Sequence, residues 1–204
     1  RHEIPCGFQV RDEREYPAQN WVDYSDGERG VCLLNRGLPG NAVCQGVLTL
    51  SLLRSTAMEY KGPTAQAFEE GVRHSFEFSV LPFAAGQRYL PWQEGEALNL
   101  PLLWQRTRSA SPPGGSWIRL EPENVVLSCL YTCRSGVLVR VYEAQGKSTA
   151  ARMFFPLGIR ACQEADALEN IGERIEVRGD QVSFGLRPFE IRSFVVQPVR
   201  NTDP

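Results

Sequence analysis

Carboxylates at turns and strand ends are the residues of this 204-residue chain that could perform chemistry. Enzymes that cleave glycosidic bonds with side chains alone usually hold two carboxyl groups about 5 to 10 Å apart, one of them protonated near neutral pH. Charged residues mostly lie in solvent, so each carboxylate is first expected to be an exposed turn or edge residue. The candidates are Asp23, Asp26 and Glu28 around one turn, Glu69 and Glu70, Glu121 and Glu123, and Glu143 at a strand end.

Nucleophilic and metal chemistry have little support in the sequence. The chain has two histidines, His2 and His74, and no strand-turn-helix pattern that would present a serine nucleophile. Cys129 and Cys133 lack further ligands at the spacing of a zinc site. We therefore expect no catalytic residue, no metal site and no cofactor in this chain.

The six cysteines are expected to be reduced thiols. A chain of this length can bury a real core and does not need disulfides. Cys32, Cys129 and Cys162 lie inside apolar runs, where a free cysteine behaves as a small hydrophobic residue. This cysteine usage predicts a cytoplasmic location.

Composition excludes two classes of partner. Hydrophobic residues make up 42% of the chain, charged residues 23%, and the net charge is −2. Basic residues are scattered among acidic ones, which argues against nucleic acid. No apolar run approaches the ~20 residues that span a bilayer, which argues against a membrane segment. The start Arg1-His2-Glu3 has neither an initiator methionine nor a leader, so we expect a piece of a longer polypeptide.

The elements that must position the candidate residues are strands. Apolar and polar residues alternate along much of the chain, as in half-buried antiparallel strands, with glycine, proline, asparagine or aspartate between the runs. The pattern predicts an all-β antiparallel sandwich of about ten strands, either one large domain or two packed sub-sheets. The expected strands lie at 31–34, 47–53, 76–80, 125–131, 137–141, 151–155, 175–177, 182–186 and 191–196.

Proline, glycine and serine mark the organisation of the chain. Residues 109–116, Ser-Ala-Ser-Pro-Pro-Gly-Gly-Ser, are the clearest break. We expect residues 1–108 to form the first part of the sandwich, with an irregular crossover over 81–108, and residues 117–204 to form the second part with the terminal strands. Helical character is predicted only for 64–71.

Four blocks of sequence follow one another along the chain. The blocks are 20–26 (NWVDYSD) with 30–35 (GVCLLN), 48–55 (LTLSLLRS), 73–82 (RHSFEFSVLP), and 139–143 (VRVYE) continuing to 187–192 (RPFEIR). Taken together, they resemble the C-terminal β-domain of glycoside hydrolase family 38 α-mannosidases. The resemblance extends over nearly the whole chain, and the order and compatible spacing of the blocks make it specific.

The resemblance implies a galactose-mutarotase-like supersandwich and a non-catalytic role. Family members place a zinc ion and an aspartate nucleophile on a separate N-terminal domain, and those motifs have no counterpart in this chain. Zinc is therefore expected in the catalytic domain and not here. The implied function is to buttress that domain and to contribute loops to the cleft that binds mannose-containing oligosaccharides or glycans. The implied partners are that catalytic domain and the glycan.

The resemblance also implies which residues contact substrate. Family members extend a loop over the cleft after an early strand, and the matching positions are Asn35 and Arg36. The preceding turn, with Asp26, Glu28 and Arg29, is the second choice. A guanidinium and a carboxamide suit the vicinal hydroxyls of mannose, with hydrogen bonds of about 0.5 to 3 kcal/mol each. The structural alternative is a capped turn.

Rival functions make different demands on the chain. A stand-alone carbohydrate-binding sandwich would expose a row of aromatic side chains, for which Trp92 and Trp104 in the irregular segment are the best candidates. A structural or adhesive sandwich would favour disulfides. A self-contained glycosidase would need its own carboxylate pair. A domain that docks onto a catalytic domain should instead leave a bare apolar patch.

Overall fold

The computed structural model describes residues 1–53, 71, 73–84, 89–104, 106 and 115–199. The chain divides into two compact units, Arg1–Trp104 and Gln105–Pro204. The expected break at 109–116 stays a prediction, because residues 109–114 lie outside the described ranges. The expected helical segment 64–71 also lies outside them, apart from Gly71.

The first unit contains eight strands and one helix within its described residues. Strands β2, β1, β4, β5 and β8, in that order, form a five-stranded antiparallel sheet, and β3, β6 and β7 form a second sheet. The elements are β1 His2–Ile4, β2 Gly7–Gln9, β3 Glu15–Pro17, β4 Trp21–Ser25, β5 Arg29–Asn35, β6 Gly40–Cys44, β7 Val47–Leu50, β8 Phe78–Ala84 and α1 Pro91–Asn99.

Strand β5 is apolar on both faces because both faces are covered. On one face Leu33 packs with Leu48 and Leu50 of β7. On the other face Leu34 packs in a cluster that includes Leu98 of α1. A strand buried on both sides reads as a continuous apolar run, and burying such side chains contributes about 1.5 to 3 kcal/mol each. Strand β5 is thus the centre of the unit, and its two ends carry the candidate substrate residues.

Helix α1 is a correction to the sequence analysis, which predicted an irregular crossover over 81–108. The helix has a proline at its start and a glutamate in its first turn, both favourable there. Gly95 lies in the middle of the helix, although glycine disfavours helix interiors. The structure explains the glycine: a Cβ at Gly95 would lie 3.1 Å from Asn20 Cβ and 3.1 Å from Trp21 Cδ1. The helix therefore packs closely against the start of β4.

The second unit has nine strands within residues 115–199. Strands β10, β11, β17, β13 and β14 form a five-stranded antiparallel sheet, and β15, β16, β12 and β9 form a four-stranded one. The elements are β9 Arg119–Glu121, β10 Val125–Cys133, β11 Gly136–Glu143, β12 Thr149–Phe154, β13 Ile159–Ala165, β14 Ile171–Ile175, β15 Val177–Arg178, β16 Gln181–Leu186 and β17 Ile191–Pro198.

Alternation along the strands builds the core of the second unit. Val139 and Val141 of β11 are fully buried with Phe194 and Val196 of β17, and Met153 of β12 packs into the same cluster. The all-β antiparallel sandwich predicted from the sequence is confirmed. Among the described residues, no helix combines the length and the apolar character that crossing a bilayer requires.

Candidate functional site

The loop that follows β5 is held from inside by Asn35. This residue ends the strand and is fully buried. Its Oδ1 accepts a hydrogen bond from the backbone N–H of Leu38 at 3.0 Å, which closes the turn. Its Nδ2 has no hydrogen-bond partner among the described residues. The carboxamide of Asn35 therefore braces the loop and does not face solvent.

Arg36 presents the polar group of this loop to solvent. Its backbone N–H donates to the carbonyl oxygen of Glu77 at 3.2 Å, and its Nη1 lies 2.7 Å from Glu77 Oε2. Both side chains of this ion pair are about half exposed, at 48% and 56%. The guanidinium of Arg36 still has N–H groups that could donate to a ligand hydroxyl. The carboxylate of Glu77 could accept a hydrogen bond from a second hydroxyl.

Asn99, the last residue of α1, supports the same loop. Its Nδ2 donates to the carbonyl oxygen of Asn35 and to that of Gly95, each at 2.9 Å. Sequence reasoning missed this residue because it missed the helix. The sequence did contain a signal for the helix: proline is common at helix starts and asparagine at helix ends, and the stretch runs from Pro91 to Asn99.

Asp26, Glu28 and Arg29 form the turn between β4 and β5. Asp26 Oδ1 accepts hydrogen bonds from the backbone N–H groups of Arg29 and Glu28, both at 2.9 Å. These two bonds lower the pKa of Asp26 below its ordinary value. All three side chains are exposed, and the carboxylate of Asp26 is hydrogen-bonded within its own turn.

The two groups of candidate substrate residues do not form one site. Arg29 begins β5 and Asn35 ends it. Seven residues at about 3.3 Å each place the two ends of the strand roughly 20 Å apart. A single sugar unit can therefore contact one group or the other, and the loop at Asn35 and Arg36 is the more rigidly built of the two.

A concavity of about 530 Å³ lies beside the loop. One wall is the loop itself, 37–40, and the others are 15–17 and 51–53. Glu15 supplies a carboxylate and Tyr16 an aromatic ring, whose hydroxyl donates to Asp12. A mixed apolar and hydrogen-bonding surface of this kind suits a hydroxylated ligand such as a sugar.

Asp23 is a correction to the expectation of an exposed carboxylate. It is 2% exposed, pairs with the Arg1 side chain, and accepts a hydrogen bond from Tyr89 Oη at 3.2 Å. Burial raises the pKa of Tyr89, and burial raises the pKa of the neighbouring Cys32 to about 12, so both stay protonated at neutral pH. Cys32 is thus a buried neutral thiol and not a nucleophile.

Glu143 is the second correction, because its carboxylate is fully buried. It accepts hydrogen bonds from Asn124 Nδ2 at 2.8 Å and from the backbone N–H groups of Gln145, Gly146, Lys147 and Phe189 at 2.7 to 3.0 Å. Burial alone would raise the pKa of Glu143, but the hydrogen bonds outweigh it and the pKa is lowered. A catalytic acid needs the opposite shift, so Glu143 has a structural role.

Among the other candidate carboxylates, Glu121 is already used in ion pairs. Glu121 is ion-paired with Arg152 at 2.9 Å and with Arg119 at 3.4 Å. Glu69 and Glu70 lie outside the described residues. Within the described ranges, no group of three or more histidine, cysteine, aspartate or glutamate side chains could hold a metal ion. The described residues therefore do not fit a zinc ion.

Aromatic side chains form no exposed row in the described part of the chain. Trp21 and Trp92 are buried, at 1% and 4% exposed, and Trp117 is partly buried against Phe155. Trp104 is 87% exposed and ends an apolar segment in which Leu102 and Leu103 are 96% and 95% exposed. This segment is bare apolar surface of the kind expected for a docking domain.

Solved structures share the fold of this chain. The chain matches an alpha-mannosidase from Enterococcus faecalis with a TM-score of 0.67 and 16% identity, covering 95% of this chain and 24% of that one. It matches a protein in glycosyl hydrolase family 38 from the same organism with a TM-score of 0.74 and 17% identity, over the same shares. The fold is that of a β-domain found within larger glycosidases.

Sequence comparisons then give the family. Residues 3–60 match the glycosyl hydrolases family 38 C-terminal domain, and residues 124–194 match the family's C-terminal beta sandwich domain. Alpha-mannosidase 2C1 of Homo sapiens is 28% identical over 193 residues, 89% of this chain and 18% of that protein. Alpha-mannosidase G of Dictyostelium discoideum is 26% identical over 190 residues, 88% and 17%. The chain belongs to glycoside hydrolase family 38, as its C-terminal β-domain, and spans about a fifth of the length of these relatives.

Proposed function

We propose that this domain buttresses the catalytic domain of an α-mannosidase-like glycoside hydrolase and contributes a loop to its carbohydrate-binding cleft. The observation that carries the proposal is the bare apolar segment 100–104, in which Leu102, Leu103 and Trp104 are nearly fully exposed. A large aromatic side chain alone buries about 150 to 250 Å² when it is covered, at roughly 25 cal/mol per Å². The occupant is the remaining part of a polypeptide of the relatives' length, of which this chain spans 18%.

The loop contribution rests on Arg36. Asn35 closes the loop from inside, Asn99 holds its start, and Glu77 orients the guanidinium. A side chain fixed in this way loses little conformational entropy when a ligand binds. Arg36 donates to hydroxyls of a mannose-containing oligosaccharide, and Glu77 accepts from a neighbouring hydroxyl. Asn35 acts by positioning, because its side chain is buried.

The location and the metal belong to the same proposal. None of the six cysteines, all of which lie in the described residues, forms a disulfide, and Cys32 and Cys162 are fully buried. Free thiols are typical of the reducing cytoplasm, which we propose as the location. Zinc is held by the catalytic domain and not by this one.

The test is hydrolysis of a chromogenic aryl α-mannoside, with zinc supplied, by the 204-residue chain and by the full-length polypeptide that carries it. The expected result is turnover by the full-length protein and none by the chain alone. Turnover by the chain alone would overturn the accessory role and direct attention to its own carboxylates. An inactive full-length protein would overturn the assignment to an α-mannosidase.

A further inference from the structure

The side chains of three of the nine arginines within residues 115–199 have no hydrogen-bond or ion-pair partner among the described residues. The arginines of residues 115–199 that contact a carboxylate or another polar oxygen are Arg119, Arg140, Arg152, Arg178, Arg187 and Arg192. The remaining ones are Arg134, Arg160 and Arg174, all exposed. In a chain of net charge −2, unpaired arginines gathered at one place are a local excess of positive charge.

These arginines line two concavities that share Arg160. The first, of about 570 Å³, includes Arg134, Ser135 and Arg160 in its lining. The second, of about 420 Å³, is lined by Arg160, Arg174 and residues 175–177. The two concavities are therefore adjacent at Arg160.

Features of the backbone fix the positions of Arg134 and Arg160. Arg134 and Ser135 form the turn between β10 and β11, and a Cβ at Gly136 would lie 2.4 Å from the carbonyl oxygen of Val196. Only glycine allows the turn to approach β17 this closely. Arg160 lies at the irregularity between Ile159 and Ala161 in the pairing of β13 with β17. A bulge of this kind redirects a side chain, and bulges are common beside functional sites.

The one acidic residue among the described residues that line the two concavities, Glu176, is already ion-paired. Glu176 lines the second concavity, but its Oε2 lies 2.9 Å from Arg178 Nη2. That hydrogen bond also lowers the pKa of Glu176. The two concavities therefore keep the positive charge of Arg134, Arg160 and Arg174.

We propose that Arg134, Arg160 and Arg174 form a binding site for a phosphate- or sulfate-class oxyanion, either free or carried on a sugar. Guanidinium groups bind tetrahedral oxyanions through paired N–H donors, with charge-assisted hydrogen bonds about twice as strong as neutral ones. The hydroxyls of Thr132 and Ser135 line the same concavity and add donors. The site does not depend on the mannosidase assignment.

The test is a titration of the chain with inorganic phosphate, sulfate, mannose 6-phosphate and uncharged mannose, followed by backbone amide NMR shifts at constant ionic strength. We expect saturable shifts at Ser135, Gly136 and Arg160 with the anions and none with mannose. Arg160→Ala should weaken binding at least about tenfold, and Arg134→Ala should weaken it as well. Tighter binding of the sugar phosphate than of phosphate would identify a sugar-borne group, and equal binding would identify the free ion.

Lys147→Ala is the matched control, because it removes one exposed positive charge elsewhere in the same unit. Its side chain is exposed, and only its backbone N–H bonds to Glu143. Binding by this variant should stay within about twofold of the parent. The proposal is overturned when phosphate and sulfate give no saturable shifts, or when Lys147→Ala weakens binding as much as Arg160→Ala.

Discussion

The buried carboxylate of Glu143 accepts a hydrogen bond from the backbone N–H of Phe189 at 3.0 Å. The same carboxylate accepts from three successive N–H groups, those of residues 145–147, in the turn between β11 and β12. Phe189 lies in the turn between β16 and β17, and its ring covers Gly146, where a Cβ would lie 2.7 Å from the ring. One side chain thus joins two turns that are far apart in the sequence.

Glu143→Gln should destabilise the second unit by about 3 kcal/mol. The glutamine side chain has the same size as glutamate. Its NH₂ group, however, would replace a carboxylate oxygen that accepts hydrogen bonds from backbone N–H groups. Urea unfolding and amide hydrogen exchange of residues 145–147 measure the effect. Glu176→Gln is the control, since that carboxylate is exposed and its ion pair with Arg178 should contribute little to stability. Equal stability of the two variants would contradict the role of Glu143 in joining the two turns.

The stabilisation by Glu143 should disappear in acid. Burial opposes ionisation of Glu143, but its hydrogen bonds prevail, so the folded-state pKa lies below the ordinary value of 4.5. A group of this kind contributes fully above its unfolded pKa, and the contribution is lost as the pH falls through the folded pKa. The difference in unfolding free energy between the parent and Glu143→Gln should therefore be constant near neutral pH and narrow below about pH 4.5. Urea unfolding midpoints over this pH range measure the difference. A difference that widens in acid would contradict a lowered folded-state pKa of Glu143.

Asn99→Ala should loosen the loop after β5 without unfolding the chain. The substitution removes the hydrogen bonds to the carbonyl oxygens of Asn35 and Gly95, and we expect a loss of about 1 kcal/mol. The sensitive measurement is exchange of the Leu38 amide, which donates to Asn35 Oδ1. Gln93→Ala, at an exposed position of the same helix, should leave that exchange unchanged. Similar exchange in both variants would show that α1 does not hold the loop.

Many of the strands could be predicted because burial imposes a simple period on them, but the expected number of about ten was too low, since the described residues contain β1 to β17. Val139 and Val141 alternate toward the core, and the run at Leu33 and Leu34 is apolar on both faces because both are covered. These patterns are local, so they are visible in the sequence alone. The expected strand at 175–177 is less regular, since β14 ends at Ile175 and β15 begins at Val177.

The helix and the buried carboxylates could not be predicted because their causes are not local. Gly95 is unfavourable in a helix by propensity, and only the proximity of Trp21 explains it. Glu143 reads as a solvated strand end until Phe189, 46 residues away, supplies a donor. The candidate site had the same difficulty: the sequence identified Asn35 and Arg36, but not that one is buried and the other exposed.

Leu102→Ser with Leu103→Ser should leave the isolated chain as stable as the parent but destabilise the full-length polypeptide. Both side chains are about 95% exposed in the chain, so nothing in the described residues is lost on substitution. In the proposed enzyme they are covered, and each buried leucine is worth about 1.5 to 3 kcal/mol. Thermal unfolding of both proteins measures the contrast. Val10→Ser, which is 80% exposed in the first unit, is the control. An unchanged full-length protein would remove the main support for the docking surface.

Arg36→Ala should separate binding from folding. The ion pair with Glu77 is half exposed, so its loss should cost less than about 1 kcal/mol of stability. In the full-length polypeptide, loss of a charged hydrogen bond to a sugar hydroxyl should raise KM for an oligomannoside about tenfold and leave kcat nearly unchanged, because the guanidinium binds the ground and transition states alike. Arg178→Ala removes an arginine that is more exposed than Arg36 from its ion pair with Glu176 and should leave KM as it was. An unchanged KM in Arg36→Ala would remove this loop from the cleft, whereas a raised KM in both variants would indicate a general effect of charge.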